Sequence, residues 1–184
     1  MADNKLVLHP VNPRAILQDP AQLLDSLRGI GLIGSGFSHF GELHYKAGPR
    51  FTELVVFREA PAAPGSTDPA LCHVSLLETT TDPAFLGAAN TQPPLCPGCQ
   101  RPLSDWKAQL LTWQAEKQRY LWVCQKCGGK SPVERLDWGL TGGIARYSLD
   151  VWGVLENQAV PSEELLGFLQ QETFEAWRYF CYRF

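Results

Sequence analysis

Four of the chain's six cysteines fall in two short pairs, Cys96-Pro97-Gly98-Cys99 and Cys124-Gln125-Lys126-Cys127, with 24 residues between them. Two residues between cysteines let the backbone curl into a tight knuckle whose amides point at the sulfurs. Two such knuckles brought together offer four thiolates at tetrahedral corners, the arrangement zinc accepts. The spacing therefore predicts one structural zinc ion held by Cys96, Cys99, Cys124 and Cys127. Disulfides are the competing use of the same residues, and the expected compartment decides against them. Met1-Ala2-Asp3-Asn4-Lys5 leads into only Leu6-Val7-Leu8, too short for an export signal, so a cytoplasmic protein with reduced thiols is expected. Apolar runs such as Leu54-Val55-Val56-Phe57 fall far short of the roughly 20 residues of a membrane helix, so no membrane role is expected.

The other reactive side chains form no such constellation. Cys72 and Cys181 lie on predicted strands away from ligand spacing, where free cysteine packs as a small hydrophobe. Cys72 and His73 are neighbours on a strand, point to opposite faces and cannot act as nucleophile and base together. His39 and His44, read as one strand, are likewise separated, whereas Glu42 and His44 share a face. An enzyme would need a cleft that gathers Glu42, His44 or His73. Gly29-Ile30-Gly31-Leu32-Ile33-Gly34 has dinucleotide-loop spacing but follows a helix instead of opening one, and no phosphate loop, nucleophile elbow or H-E-x-x-H is present. No catalytic residue is assigned.

The paired knuckles resemble the zinc-ribbon class, whose turns are similar to those of rubredoxin. Gly128 follows Cys127 as such turns favour, while Gln100 stands in the matching place after Cys99, a departure from the iron-binding pattern. The resemblance covers about a quarter of the chain and implies a metal, not an activity. The whole arrangement, a cysteine-pair insert ahead of a closing strand-helix-strand unit, also resembles bacterial proteins to which no activity is attached.

Charge is unevenly placed. The chain carries −3, yet residues 94–138 hold seven Lys and Arg against four Asp and Glu. Four thiolates around zinc leave −2 on the site, which those cations offset. Trp106, Trp113, Tyr120, Trp122 and Trp138 lie among them. Aromatics interleaved with cations can stack bases, which makes nucleic-acid binding the alternative function. The same tryptophans would equally fill the core of a small ribbon.

The elements that must position these residues follow from periodicity. A strand over Leu6–Val11 precedes a helix opened by Asp19-Pro20, with Leu23, Leu24 and Leu27 as its stripe and Gly29 and Gly31 at its end. Strands are expected from about Gly36 to Tyr45 and from Phe51 to Arg58, then a Pro-rich loop over Ala60–Asp68 and a half-buried strand over Leu71–Glu78. Between the cysteine pairs, Ser104 precedes a helix carrying Trp106, Leu110 and Trp113, and Arg119–Val123 reads as a strand. Tyr147, Leu149 and Val151 alternate with Arg146, Ser148 and Asp150 as an amphipathic strand. A helix from Pro161 with Leu165, Leu166 and Leu169 and an aromatic strand over Phe174–Phe184 complete the chain.

Two strand-helix-strand units predict an α+β, ferredoxin-like antiparallel sheet with both helices on one face, formed by 1–93 and 139–184. The zinc ribbon, 94–138, is inserted between them. The function expected from this layout is a non-enzymatic zinc protein whose ribbon meets a protein partner.

Overall fold

The computed structural model describes residues 4–58, 71–78, 81–116 and 120–183; the expected Ala60–Asp68 loop lies outside them. Strand β1 (Lys5–Pro10) leads into helix α1 (Pro20–Gly29). The Asp19 side chain accepts the Gln22 amide, Pro20 fills the first turn, and Gly31 at φ +83° turns the chain out of the helix. The run expected as one strand to Tyr45 is instead a hairpin, β2 (Ile33–His39) and β3 (Glu42–Ala47). Phe40 and Gly41 between them have φ of +50° and +85°, the sense of turn that matches the twist of paired strands. Gly48 then passes so close to Gly31 that a Cβ there would stand 2.3 Å from the Gly31 carbonyl oxygen. The expected strand over Phe51–Arg58 opens with one helical turn, α2 (Phe51–Leu54), before β4 (Val55–Phe57).

Strands β5 (His73–Glu78) and β6 (Ala84–Gly87) precede the cysteine region. There α3 (Trp106–Glu116) is followed by the pair β7 (Leu121–Val123) and β8 (Lys130–Pro132). The chain returns through β9 (Gly142–Ala145), β10 (Tyr147–Trp152) and β11 (Ala159–Pro161), then α4 (Glu163–Thr173), and closes with β12 (Trp177–Tyr182). Ser162 caps α4 by accepting the Leu165 amide.

Among the described residues six strands form the main sheet in the order β12-β1-β10-β5-β3-β2, every neighbour antiparallel. The protein is thus α+β with antiparallel sheets. In the four-strand ferredoxin order the strand after α1 would lie beside β10; here β5 holds that place and β2 lies two strands further out. One sheet face is the main core. Leu6, Leu8, Val74, Tyr147, Leu149 and Val151 meet Leu23 and Leu27 of α1 and Leu165 and Leu169 of α4.

The opposite face corrects the reading of β10 as amphipathic, because Ser148 and Asp150 are each only 1% exposed. Antiparallel β6 and β9 lie over this face: β6 residues Phe85 to Gly87 line a cavity of about 190 Å³ with Ser148, Asp150 and Tyr182, and the His9 ring sits flush on Gly143 of β9, where a Cβ would meet Nε2 at 2.3 Å. Almost fully buried, the Asp150 carboxylate accepts hydrogen bonds from Lys5 Nζ and Ser148 Oγ. Lys5 in turn lies over the rings of Trp152 and Tyr182, at 4.4 and 4.8 Å from their centroids. Removing one partner of a buried pair leaves the other charge stranded. Asp150→Ala should lower the free energy of unfolding by about 3–5 kcal/mol, measured by urea denaturation.

Candidate metal centre

The two cysteine pairs meet. Four sulfurs bound about 2.3 Å from one ion at tetrahedral angles stand about 3.8 Å apart. Cys96 Sγ lies 3.8 Å from Cys127 Sγ, Cys99 Sγ lies 3.8 Å from Cys124 Sγ, and all four sulfurs fall within 4.8 Å of one another. A disulfide would need about 2.05 Å, and all four cysteines are free. The group could hold one metal ion.

Each pair makes the same turn. The Gly98 and Lys126 amides each point at the first sulfur of their pair at 3.4 Å, and the Gln100 and Gly128 amides close the turns onto the Cys96 and Cys124 carbonyls at 2.8 Å. Both closing residues are left-handed, Gln100 at φ +57° and Gly128 at φ +70°. The missing glycine after Cys99 is therefore a strained Gln100, not a different turn. Amides of Cys127 and Lys126 favour the Cys124 thiolate and hold its pKa down to about 7. Cys127 accepts the Gly129 amide, which favours its thiolate, but the sulfurs of Cys124, Cys99 and Cys96 push it up to about 11. Four thiolates at these distances would repel one another without a cation among them.

A second core holds the turns in place. Trp106, Trp113, Trp122 and Trp138 are buried with Leu103, Leu110, Val133 and Leu136 around Cys96 and Cys124. Trp106 meets Trp138 edge-on at 5.6 Å, and Phe85 of β6 and Ile144 of β9 complete the cluster. The buried Gln109 ties α3 to the hairpin, accepting from the Tyr120 hydroxyl at 3.0 Å and the Val123 amide at 3.2 Å. These tryptophans are core, at most 8% exposed, and offer no face on which a base could stack.

The remaining candidates fall elsewhere. Cys72 faces the main core with its thiol toward the Gly153 carbonyl, and Cys181 packs half-buried against the same core. Cys72 and His73 do lie on opposite faces of the sheet. His39 and His44, however, occupy paired strands of the hairpin and share a face with each other, with His73 and with Glu42. Reading the hairpin as one strand hid this. Burial, then His39, lower the pKa of His44. The cleft between the cysteine-bearing segment and the sheet, about 460 Å³, is lined by His9, Arg178, Glu134, Asp137 and Trp138 and by none of Glu42, His44 or His73. His9 escaped notice because nothing in its short strand marks it.

Comparison with known proteins returns nothing similar to this chain: no family model, no curated protein and no solved structure matches. Among the described residues no helix is long and apolar enough to cross a membrane.

Two outcomes follow. Gln100→Gly should stabilise the metal-loaded protein by about 1 kcal/mol and Gly128→Ala should destabilise it by a similar amount, since open space surrounds Gly128 and only backbone conformation is at stake. Thermal unfolding with metal present reads both. Burial, more than the Pro10 carbonyl bond can offset, pushes His9 down to about 4 from 6.5. The unfolded chain then binds a proton that the folded one refuses between those pH values, so His9 costs nothing above about 6.5, and stability falls as pH drops toward 4. The wild type should lose on the order of 3 kcal/mol more across that window than His9→Gln, compared by denaturation at each pH.

Proposed function

We propose that this chain is a zinc-binding protein in which a structural ribbon presents a surface to a protein partner. The observation that carries the metal reading is the 3.8 Å separation of paired sulfurs, the edge of a tetrahedron around zinc. A full set of four thiolates leaves no open position for substrate, which makes the role structural. Free thiols suit a reducing compartment, the cytoplasm. On this reading 94–138 is an insert in a sheet domain of 1–93 and 139–184. The segment β12-β1-β10-β5, with α4 between β10 and β12, is a ferredoxin-like unit widened by the β2–β3 hairpin.

The partner reading rests on what the ribbon leaves outside. Trp122 turns into the core while its neighbours Leu121 and Val123 are 48% and 36% exposed, and Leu111 on α3 is 68% exposed. Apolar groups on a metal-fixed excursion cost solubility unless something covers them. Burial of the tryptophans removes the stacking surface that a nucleic-acid role would use, leaving only the cations in its favour.

Purified full-length protein should hold one zinc that survives dialysis. Cys124→Ala should lose it and open the segment between the cysteine pairs to protease, because zinc contributes on the order of 10 kcal/mol to small thiolate modules. Metal content and protease resistance unchanged in that variant would end the zinc reading. Leu121→Glu should keep zinc but lose the protein that co-purifies with wild type; equal recovery of that protein by both would end the partner reading.

A further inference from the structure

The helix-free face of the sheet gathers three of the four histidines at the end away from the ribbon. His39 on β2, His44 on β3 and His73 on β5 come from three adjacent strands. Their ring centres form a nearly equilateral triangle, 5.0 Å from His39 to His44 and 4.9 Å from each of these to His73. None of the three pairs is stacked; the planes meet at 65°, 60° and 54°. An ion about 2.0–2.1 Å from a ring nitrogen stands about 3.2 Å from that ring's centre, so three imidazoles at tetrahedral angles hold their centres about 5.1 Å apart. The observed triangle has that size.

A second observation points the same way. His44 is only 2% exposed, its Nδ1 is buried without a hydrogen-bond partner, and its Nε2 meets the Glu42 carboxylate at 4.0 Å, beyond bonding distance. An orphaned buried nitrogen costs about 1–3 kcal/mol unless a water or ion takes it up. Phe37 and Trp152 wall the cluster, with Trp152 stacked on His73 at 6.0 Å and Phe37 edge-on to it at 5.6 Å. Glu42, 68% exposed on its side chain, stands at the open side.

We propose that His39, His44 and His73 form a second metal site, for a divalent transition ion of the kind that prefers imidazole, with the Glu42 carboxylate or water in the fourth position. Among the described residues only the four sulfurs already have their donor atoms gathered. Binding therefore requires imidazoles of the triangle to turn, and a half-turn exchanges nitrogen for carbon while the ring centre stays put. Neutral imidazoles do not cancel the ion's charge as four thiolates do, so the ion stays a Lewis acid and more readily exchanged. The site is independent of the thiolate centre.

The test uses full-length protein with zinc already in its thiolate site, titrated with cobalt(II). One further equivalent should bind with visible ligand-field bands and without the near-ultraviolet thiolate-to-cobalt charge transfer that exchange into the sulfur site would produce. His44→Asn should lower the affinity at least about tenfold. Because His44 is buried and its replacement could unfold the sheet, the half-exposed His39→Asn is the second variant, with circular dichroism confirming its fold, and it should weaken cobalt by a similar factor. Absence of the second equivalent at millimolar cobalt would overturn the proposal. So would binding of the same strength in a folded His39→Asn variant, or a signal confined to thiolate charge transfer.

Discussion

A strand covered on both sides must find partners for every polar group it carries, and β10 is such a strand. Tyr147, Leu149 and Val151 meet the helices, while Ser148 and Asp150 turn into the opposite layer, where each is almost fully buried. An uncompensated carboxylate in that position would be far costlier than any local packing gain, so Lys5 must come to it. The observed register sets Lys5 opposite Trp152 on β10 and Tyr182 on β12, which places the ammonium between those two rings and over the carboxylate. Against an apolar replacement the pair adds little net energy; what it supplies is alignment. A slip of β1 by one residue would turn Lys5 toward the helices and strand Asp150, so one ion pair holds three strands in step.

The same burial binds the ribbon to the sheet. Phe85 and Ile144 belong to the strand pair lying over the sheet and also to the tryptophan cluster around Cys96 and Cys124. Gly143, on the same strand, must lack a side chain because His9 of β1 occupies the space. Arg14, just beyond β1, pairs with Glu134 at 2.8 Å across the junction. A ribbon joined through shared side chains is oriented by the sheet instead of swinging on a tether. That makes the position of its outward face, with Leu121 and Val123, a property of the whole chain.

What could be read in advance was local. The C-x2-C pairs, the Asp19-Pro20 and Ser162 helix starts, and the Trp106-Leu110-Trp113 stripe depend on neighbours within a few residues, and each stands where its spacing put it. Long-range features were hidden for identifiable reasons. Nothing in Phe40-Gly41 has the composition of the usual hairpin turns, so β2 and β3 read as one strand and two histidines were assigned to opposite faces. Alternation in β10 looked amphipathic because the layer that covers its polar side comes from residues 84–87 and 142–145, which no periodicity within β10 can announce. The tryptophans were legible as aromatic but not as buried, and burial is what separates a core from a stacking surface. A strand over Phe51–Leu54 failed because Arg50 and Gly48 carbonyls draw those amides into a turn.

The order of strands also separates the cluster of four cysteines from the cluster of three histidines. The sulfurs belong to a ribbon that meets the sheet near β1 and β12, through His9, Arg178 and residues 134–138, whereas the histidines stand on β2, β3 and β5. Between them lies β10 with its ion pair, and Trp152 on that strand touches both Lys5 and His73. Trp152 and the Lys5–Asp150 pair therefore stand between the histidines and the strands β1 and β12. Rigid there, the sheet would transmit little, and the ribbon would keep its position whatever the imidazoles bind. The chemistry of the donors agrees with that division: a closed set of soft thiolates suits an ion that holds structure, and neutral imidazoles beside a mobile carboxylate suit one that comes and goes.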